Sequence, residues 1–301
     1  MKRFLRSFFR RFGYDIIKTG VPYVSKSKKP VIIKVGKFRI EMPGNNIQRS
    51  NYIIFPDLNS QFGRLATEIY NKYSDMAAID VGANVGDTIA VLKSFVDIPV
   101  VGIEGDDISF NYLKKNIQQF SNVSVARTFL GEKEVNIIAN FDSAGWNTTI
   151  VPSETGTQQV SIRTLDDVIR NDFKRDLNYK LLKTDVEGFD TIVLRGATDM
   201  IKRNNPVLFF EYNRTIMKKI GEEGLSTIFL MRDFGYNKIV FFDHIGTLLL
   251  STSLDNKDVV SHLHEYISSE KNLLGYFDIA IFHEMDTDIA SRYIEKEREY
   301  L

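Results

Sequence analysis

The sequence predicts an α/β fold of the Rossmann-like type, a mainly parallel sheet flanked by helices. Three observations carry this expectation. Short apolar strands alternate with amphipathic helical stretches from about residue 61 to residue 282. The run Ala78-Ile79-Asp80-Val81-Gly82-Ala83-Asn84-Val85-Gly86-Asp87-Thr88 is a buried strand, a glycine turn and a helix start in succession. An acid, Glu104, closes the next strand in Val101-Gly102-Ile103-Glu104-Gly105-Asp106, 24 residues after Asp80.

Taken in order, residues 1–12 place Phe4, Leu5, Phe8, Phe9 and Phe12 at helical spacing among Arg and Lys. That is the pattern of a short interfacial helix, able to sit weakly on anionic lipid or to pack on the protein's own body. Pro22, Pro30 and the Lys/Ser cluster between them mark a linker. Val31–Ile40 and Tyr52–Phe55 are expected as short strands around the turn Pro43-Gly44-Asn45-Asn46. Helix Phe62–Tyr73 leads to strand Ala77–Val81, the glycine loop and helix Asp87–Phe95. Strand Val100–Ile103, helix Ile108–Phe120 and strand Val123–Phe129 follow. Polar-interrupted strands Val135–Asn140, Thr148–Val151 and Gln159–Arg163 then break the rhythm as an inserted β element. The alternation resumes with helix Leu165–Asn171, strand Lys180–Thr184, helix Asp190–Arg203 and strand Val207–Glu211. Helix Leu225–Phe234 and strands Lys238–Phe242 and Phe277–Phe282 complete it. The expected organisation is a basic N-terminal extension with a short β hairpin over 1–60, and an α/β domain over 61–301 with a β insertion at about 135–164.

Composition narrows the function classes. With no cysteine, disulfides, thiolate metal sites and cysteine nucleophiles are excluded. No apolar run approaches the roughly 18 residues of a membrane span, and the basic start lacks the apolar core of a secretory signal. A cytoplasmic protein is expected, peripheral at the inner membrane surface if residues 1–12 engage lipid. The formal net charge of zero hides an asymmetry: residues 1–37 carry eleven Lys/Arg against one acid, Asp15, and the remainder carries 28 basic and 38 acidic residues. An acidic body argues against nucleic acid as a partner.

The glycine loop discriminates among nucleotide-like ligands. A dinucleotide fingerprint starting at Gly82 would need glycines at 84 and 87, where Asn84 and Asp87 stand. Asp80 and Asp87 also bracket the place where a pyrophosphate would lie on the helix N-terminus, and like charges there are costly. S-adenosylmethionine has no phosphate and carries a cationic sulfonium and α-amino group, so an acidic, glycine-lined loop suits it better. Glu104 is placed to accept both hydroxyls of a ribose, a feature that nicotinamide cofactors share. A nicotinamide-dependent oxidoreductase is therefore the second enzymatic reading, and a non-catalytic membrane-tethered binding module of the same fold the third.

The blocks Asp80-Val81-Gly82-Ala83-Asn84-Val85-Gly86, Val101-Gly102-Ile103-Glu104 and Asn116-Ile117 resemble the FkbM family of methyltransferases. So do Leu182-Lys183-Thr184-Asp185-Val186-Glu187-Gly188-Phe189-Asp190, Val193-Leu194-Arg195-Gly196-Ala197 and Pro206-Val207-Leu208-Phe209-Phe210-Glu211. The resemblance runs over about residues 76–283, with Gly105 where the family commonly has proline. It implies a class I methyltransferase fold, S-adenosylmethionine as cofactor, and O-methylation, frequently of sugar hydroxyls, as in polysaccharide biosynthesis. The acceptor partner is then a small molecule or glycan.

In a doubly wound sheet, ligands bind at the carboxyl ends of the strands. Asp80, Glu104 and Asp185 end three strands and should converge on one crevice, with Glu187 and Glu211 beside them. Asp80, Gly82, Asn84, Gly86, Thr88, Glu104, Gly105 and Leu130 are the expected cofactor-binding residues, with Phe129-Leu130-Gly131 placed at the adenine. Methyl transfer to an alcohol needs alignment and a proton acceptor. Asp185 is the first candidate for the base, Glu187 the second, and Glu211 a third carboxylate to orient substrate. A cap on the helix starting near Asp190 is the competing role for Asp185 and Glu187. Trp146, in the insertion, is a candidate for stacking on a sugar ring, and His283 for touching substrate from a strand end. The four histidines show no metal-binding spacing. Asp185, Glu187 and Glu211 are hard oxygen ligands of the kind Mg2+ accepts, but no dedicated spacing is present and no metal site is assigned.

Overall fold

The computed structural model describes Phe12 and residues 27–143, 148–152, 158–173 and 176–301. The expected interfacial helix (residues 1–12, Phe12 excepted), residues 21–26 of the expected linker, and Trp146 lie outside the described residues. Strands β1 (Pro30–Val35) and β2 (Phe38–Pro43) form an antiparallel hairpin with Val35 opposite Phe38. Its turn is at Gly36-Lys37, with Gly36 at φ 54°, and not at Pro43–Asn46 as expected. Tyr52–Phe55 is likewise not a strand. Tyr52, Ile53 and Ile54 belong to helix α1 (Ile47–Ile54), with Phe55 at its C-cap, and its N-cap Asn46 accepts a hydrogen bond from the Gln48 N–H at 2.8 Å. An Asn cap outweighs the β propensity of Tyr-Ile-Ile once the helix has a face to bury.

Helix α2 (Ser60–Lys72) buries Phe62, Leu65, Ala66 and Ile69, the i, i+3, i+4, i+7 stripe of an amphipathic helix. Each such side chain contributes roughly 1.5–3 kcal/mol relative to exposure. Strand β3 (Met76–Val81) is buried along its whole length, as a central parallel strand covered on both faces must be. Helix α3 (Asp87–Phe95), strand β4 (Val100–Glu104), helix α4 (Asp107–Asn116) and strand β5 (Val123–Arg127) follow. Strands β6 (Phe129–Leu130), β7 (Val135–Ser143), β8 (Thr148–Pro152) and β9 (Gln158–Arg163) make a separate four-stranded sheet, ordered β6-β9-β7-β8; β7, β8 and β9 are the three strands expected over 135–164, and β6 splits from the single strand expected over Val123–Phe129.

The chain returns through α5 (Leu165–Asn171) and β10 (Asn178–Thr184). The single helix expected over 190–203 is two, α6 (Asp190–Arg195) and α7 (Thr198–Asn204). At the break, a Cβ on Gly196 would lie 2.1 Å from the Gly131 carbonyl oxygen, so the chain bends where it meets the insertion. Strand β11 (Val207–Tyr212), helices α8 (Arg214–Lys219) and α9 (Leu225–Asp233), strands β12 (Tyr236–Asp243) and β13 (Leu248–Ser253), helix α10 (Lys257–Ser268), strand β14 (Phe277–His283) and helix α11 (Thr287–Arg298) complete the chain. Periodicity alone predicts no element at α8, β13, α10 or α11.

The main sheet has the order β13-β12-β14-β11-β10-β3-β4-β5. The run from β11 through β5 is parallel, while β14 lies antiparallel to both β11 and β12. Hydrophobic clusters on the two faces of this sheet form the core. The N-terminal hairpin belongs to a third cluster, in which Val35, Ile40, Met42 and Tyr52 pack with Val85, Ala90 and Val91. Asn116 stitches that contact: its amide donates to the Glu41 and Val85 carbonyls, each at 2.8 Å, and accepts from the Glu41 N–H at 3.0 Å. Of the described residues, no helix is long and apolar enough to cross a membrane.

Candidate active site

The strand β3 carboxyl end turns sharply at Gly82, which sits at φ 75°. A Cβ there would lie 1.9 Å from the Asp185 carbonyl oxygen, so the turn requires both the left-handed backbone and the missing side chain. The N–H groups of Gly82 and Ala83 both donate to the Ile103 carbonyl, at 2.9 and 3.0 Å. Asn84, at φ 45°, presents its N–H to Glu104 Oε2 at 2.8 Å, while Glu104 Oε1 accepts from the Asp106 N–H at 2.7 Å. Glu104 thereby clamps the two loops together, and each carboxylate oxygen keeps acceptor capacity for a further donor. Burial pushes its carboxyl up to about 7, against the pull of the Asp106 and Asn84 N–H bonds.

A crevice of about 1060 Å³, open solvent at its mouth included, lies on these loops. Its floor is Gly82, Asn84 and Thr88, and one wall carries Glu104, Gly105, Asp106 and Ser109. Phe129, Leu130 and Ile162 supply an apolar end where the insertion abuts the main sheet. Gly105 admits the Phe129 ring, which a Cβ would meet at 2.3 Å. The opposite wall is Lys183, Asp185, Val186, Glu187 and Phe189, and Gln48 and Asn59 close it from the N-terminal side. The Asn84 side-chain oxygen is buried without a hydrogen-bond partner, an acceptor available to a cationic or N–H-bearing ligand. An apolar slot for a flat ring, a carboxylate for a diol and an acid-lined loop for cationic groups fit S-adenosylmethionine.

Asp80 lies beneath this lining. It is buried, accepts from Thr88 Oγ1 at 2.5 Å, and pairs with Lys183 Nζ at 2.9 Å. Burial works against the Lys183 charge, but Asp80 and Asp185 outweigh it and hold the ammonium above the usual lysine range. Lys183 Nζ also stands 3.7 Å from Asp185 Oδ2, whose side chain is 41% exposed and faces the crevice. Glu187 takes φ 52°, an uncommon backbone for a non-glycine residue. Burial, then Asp185 and Asp190, raise its carboxyl to about 8. Burial, and then Asp185, likewise raise Asp190 to about 7 and Asp278 to about 8. Glu211 is pushed well above the carboxylate range by burial, then by Asp185 and Glu187.

The structure thus brings Gly82, Asn84, Thr88, Glu104, Gly105, Leu130, Asp185 and Glu187 onto one crevice. Gly86 does not line it: at φ 88° it caps α3. Glu211 sits behind Asp185 and Glu187, with Asp278 opposite it across the β11–β14 pair. Helix α6 has Phe189 at its N-cap and no side-chain cap, so neither Asp185 nor Glu187 is its cap residue, while Asp190 Oδ1 accepts from the Val186 N–H of the preceding turn at 3.2 Å. The expectation for His283 is corrected. Because β14 runs antiparallel, its carboxyl end pairs with Tyr236 at the start of β12, at the far end of the sheet. There His283 Nδ1 accepts from the Met285 N–H at 3.2 Å and the ring packs edge-on to Tyr236. Residues the sequence reading missed include Gln48, Asn59, Lys183 and Asp278; of these only Lys183 lies inside a recognisable motif block. Among the described residues, no group of three or more His, Asp or Glu side chains is arranged to hold a metal ion.

The family model described as the methyltransferase FkbM domain matches residues 80–238, a little over half of the chain. Among solved structures, the chain is similar to methyltransferase FkbM from Methylobacillus flagellatus KT, with 22% identity over 46% of this chain and a TM-score of 0.34. It spans only 33% of that protein's length. It is also similar to M. jannaschii TYW2 in complex with AdoMet (13% identity, 88% of this chain and 90% of that one, TM-score 0.41). A SAM dependent methyltransferase from Aquifex aeolicus matches at 11% identity over 77% of this chain and 97% of that one, TM-score 0.35. A search of curated proteins found no significant match.

Proposed function

Because the chain belongs to the FkbM methyltransferase family, we propose that it is an S-adenosylmethionine-dependent O-methyltransferase acting on a hydroxyl of a sugar or glycoconjugate. The observation that carries this reading is the joining, in one crevice, of the Gly82–Glu104 cofactor cradle and the exposed carboxylate of Asp185. Glu104 would hold the ribose hydroxyls, Phe129, Leu130 and Ile162 the adenine, and the loop at Gly82–Asn84 the amino-acid end. When bound, the cofactor supplies an electrophilic methyl group on a sulfonium.

The chain's own residues then have three tasks. The crevice walls align an acceptor hydroxyl, since in-line displacement depends on orientation. Asp185 accepts the hydroxyl proton as general base. Glu187, its carboxyl raised to about 8, hydrogen-bonds the acceptor, and its anionic form, which gains population as pH rises through that value, can take the proton onward. A cluster of carboxylates able to accept from several hydroxyls supports a polyhydroxylated acceptor, as in cell-surface polysaccharide assembly.

Asp185→Asn tests the reading, assayed by labelled-methyl transfer to monosaccharides, sugar nucleotides and glycolipids. The amide keeps the shape and loses the basicity, so kcat should fall by about 10²-fold or more while S-adenosylhomocysteine affinity stays within about twofold. An undiminished kcat removes Asp185 from the mechanism.

A further inference from the structure

The family match begins at residue 80, yet the crevice is closed by side chains from well before it. Gln48 on α1 and Asn59 at the start of α2 both line it, next to Asp87 and Thr88. Their position is held by a buried chain of hydrogen bonds. The Tyr52 hydroxyl, one helical turn after Gln48, donates to Asp87 Oδ2 at 3.0 Å, and Asn59 Nδ2 donates to the Tyr52 hydroxyl at 3.2 Å. Tyr52 is 4% exposed, and burial followed by the Asp87 charge raises its pKa well above the usual tyrosine value, so it stays a donor. Asn59 precedes α2 with a left-handed backbone and its side chain makes no cap for that helix; the amide is given to Tyr52 instead. The α1 segment is therefore latched onto the first turn of α3, directly over the glycine loop.

This sets Gln48, one helical turn from Tyr52, on the α3 side of the crevice by Asp87 and Thr88, while Phe129, Leu130 and Ile162 build its apolar slot. A ligand with its ribose on Glu104 and its ring in that slot points its amino-acid end toward Gln48. The Gln48 Oε1 accepts from Asn51 Nδ2 at 3.2 Å, while its Nε2 has no acceptor among the described residues. A neutral amide donor suits a carboxylate. The cationic side chain on the lining, Lys183, is already paired with Asp80. We propose that Gln48, set in place by the Tyr52–Asp87 latch, donates a hydrogen bond to the α-carboxylate of the S-adenosyl ligand. The N-terminal segment is then a working wall of the binding site. This assignment rests on the cofactor reading above.

The test is calorimetric titration of the full chain with two probes, S-adenosylhomocysteine and 5′-methylthioadenosine, the second lacking the amino-acid end. Gln48→Ala should weaken S-adenosylhomocysteine roughly tenfold or more, as expected for a hydrogen bond to a charged group, and leave 5′-methylthioadenosine within about twofold. Gln48→Glu sets a carboxylate against a carboxylate and should weaken S-adenosylhomocysteine further, again sparing the shorter probe. Unchanged S-adenosylhomocysteine binding in both variants overturns the assignment. So does equal weakening of both probes, which would make Gln48 only a support for the wall. A wild-type chain that binds neither probe would instead overturn the cofactor reading, and the assignment with it.

Discussion

Replacing Asp80 by Asn removes one charge from a buried ion pair and keeps its shape. Lys183 Nζ and Asp80 Oδ1 are 2.9 Å apart, with side chains only 5% and 2% exposed. At an effective dielectric near 20 the gross attraction is about 6 kcal/mol, but the desolvation of each ion costs several kcal/mol, so the intact pair nets little. The single variant is different, because it leaves the ammonium buried without its counter-charge, a loss of about 3–5 kcal/mol. Asp185, 3.7 Å away, compensates in part, but its exposure screens it, which places the expectation at about 3 kcal/mol. Thr88 can still donate to the Asn carbonyl, so that hydrogen bond does not enter. Against a total stability of about 5–15 kcal/mol the loss is large. Urea unfolding at pH 7 measures it. The Lys183 pKa is raised by its partners, so the pair's contribution is intact below the ordinary lysine pKa and lost only in stronger alkali. The double variant Asp80→Asn with Lys183→Met should lose much less than the sum of the two single variants. A loss below about 1 kcal/mol in Asp80→Asn, or strict additivity, would refute the account of a buried charge held by its partner.

Two further outcomes follow from the same site. Glu187 and Asp278 are raised to about 8 and Asp190 to about 7, so these carboxyls are largely neutral at pH 6 and anionic at pH 9. The affinity of S-adenosylmethionine relative to S-adenosylhomocysteine, which lacks the sulfonium charge, should therefore rise with pH across that interval. A unit charge several ångströms away is worth about 1 kcal/mol or more at an effective dielectric near 20, hence a rise of roughly fivefold; a flat ratio by parallel titrations would contradict the assigned shifts. Gly82→Ala forces a left-handed alanine and a Cβ 1.9 Å from the Asp185 carbonyl oxygen. It should cost more than about 2 kcal/mol in thermal unfolding, and a stability within about 0.5 kcal/mol of wild type would show that the turn can open.

Much of this protein was legible in local pattern. The strand ending at Val81, the glycine turn and helix Asp87–Phe95 follow from burial on both faces and from the need for a positive φ, both encoded within a dozen residues. Glu104 and Asp185 were placed on a common crevice because parallel strands bring their carboxyl ends to the same edge. The failures occurred where position depends on distant partners. His283 was assigned to the crevice because a strand's direction cannot be read from its own residues; the pairing of β14 with β11 and β12 reverses it. That reversal sends His283 to the far end and brings Asp278 opposite Glu211, a residue with no motif to mark it. Tyr52 looked like part of a strand, and becomes the latch of a helix only because Asp87 and the Val85–Val91 face are there to receive it. Lys183 would pass for a solvated charge until β3 sets Asp80 beside it. The sequence by itself determined the order of elements and the chemistry of the glycine loop, since periodicity and backbone sterics act over a few residues. The tertiary structure alone decided strand direction, the buried ion pair and the N-terminal wall, because burial and charge pairing are properties of neighbours that the chain supplies from far away.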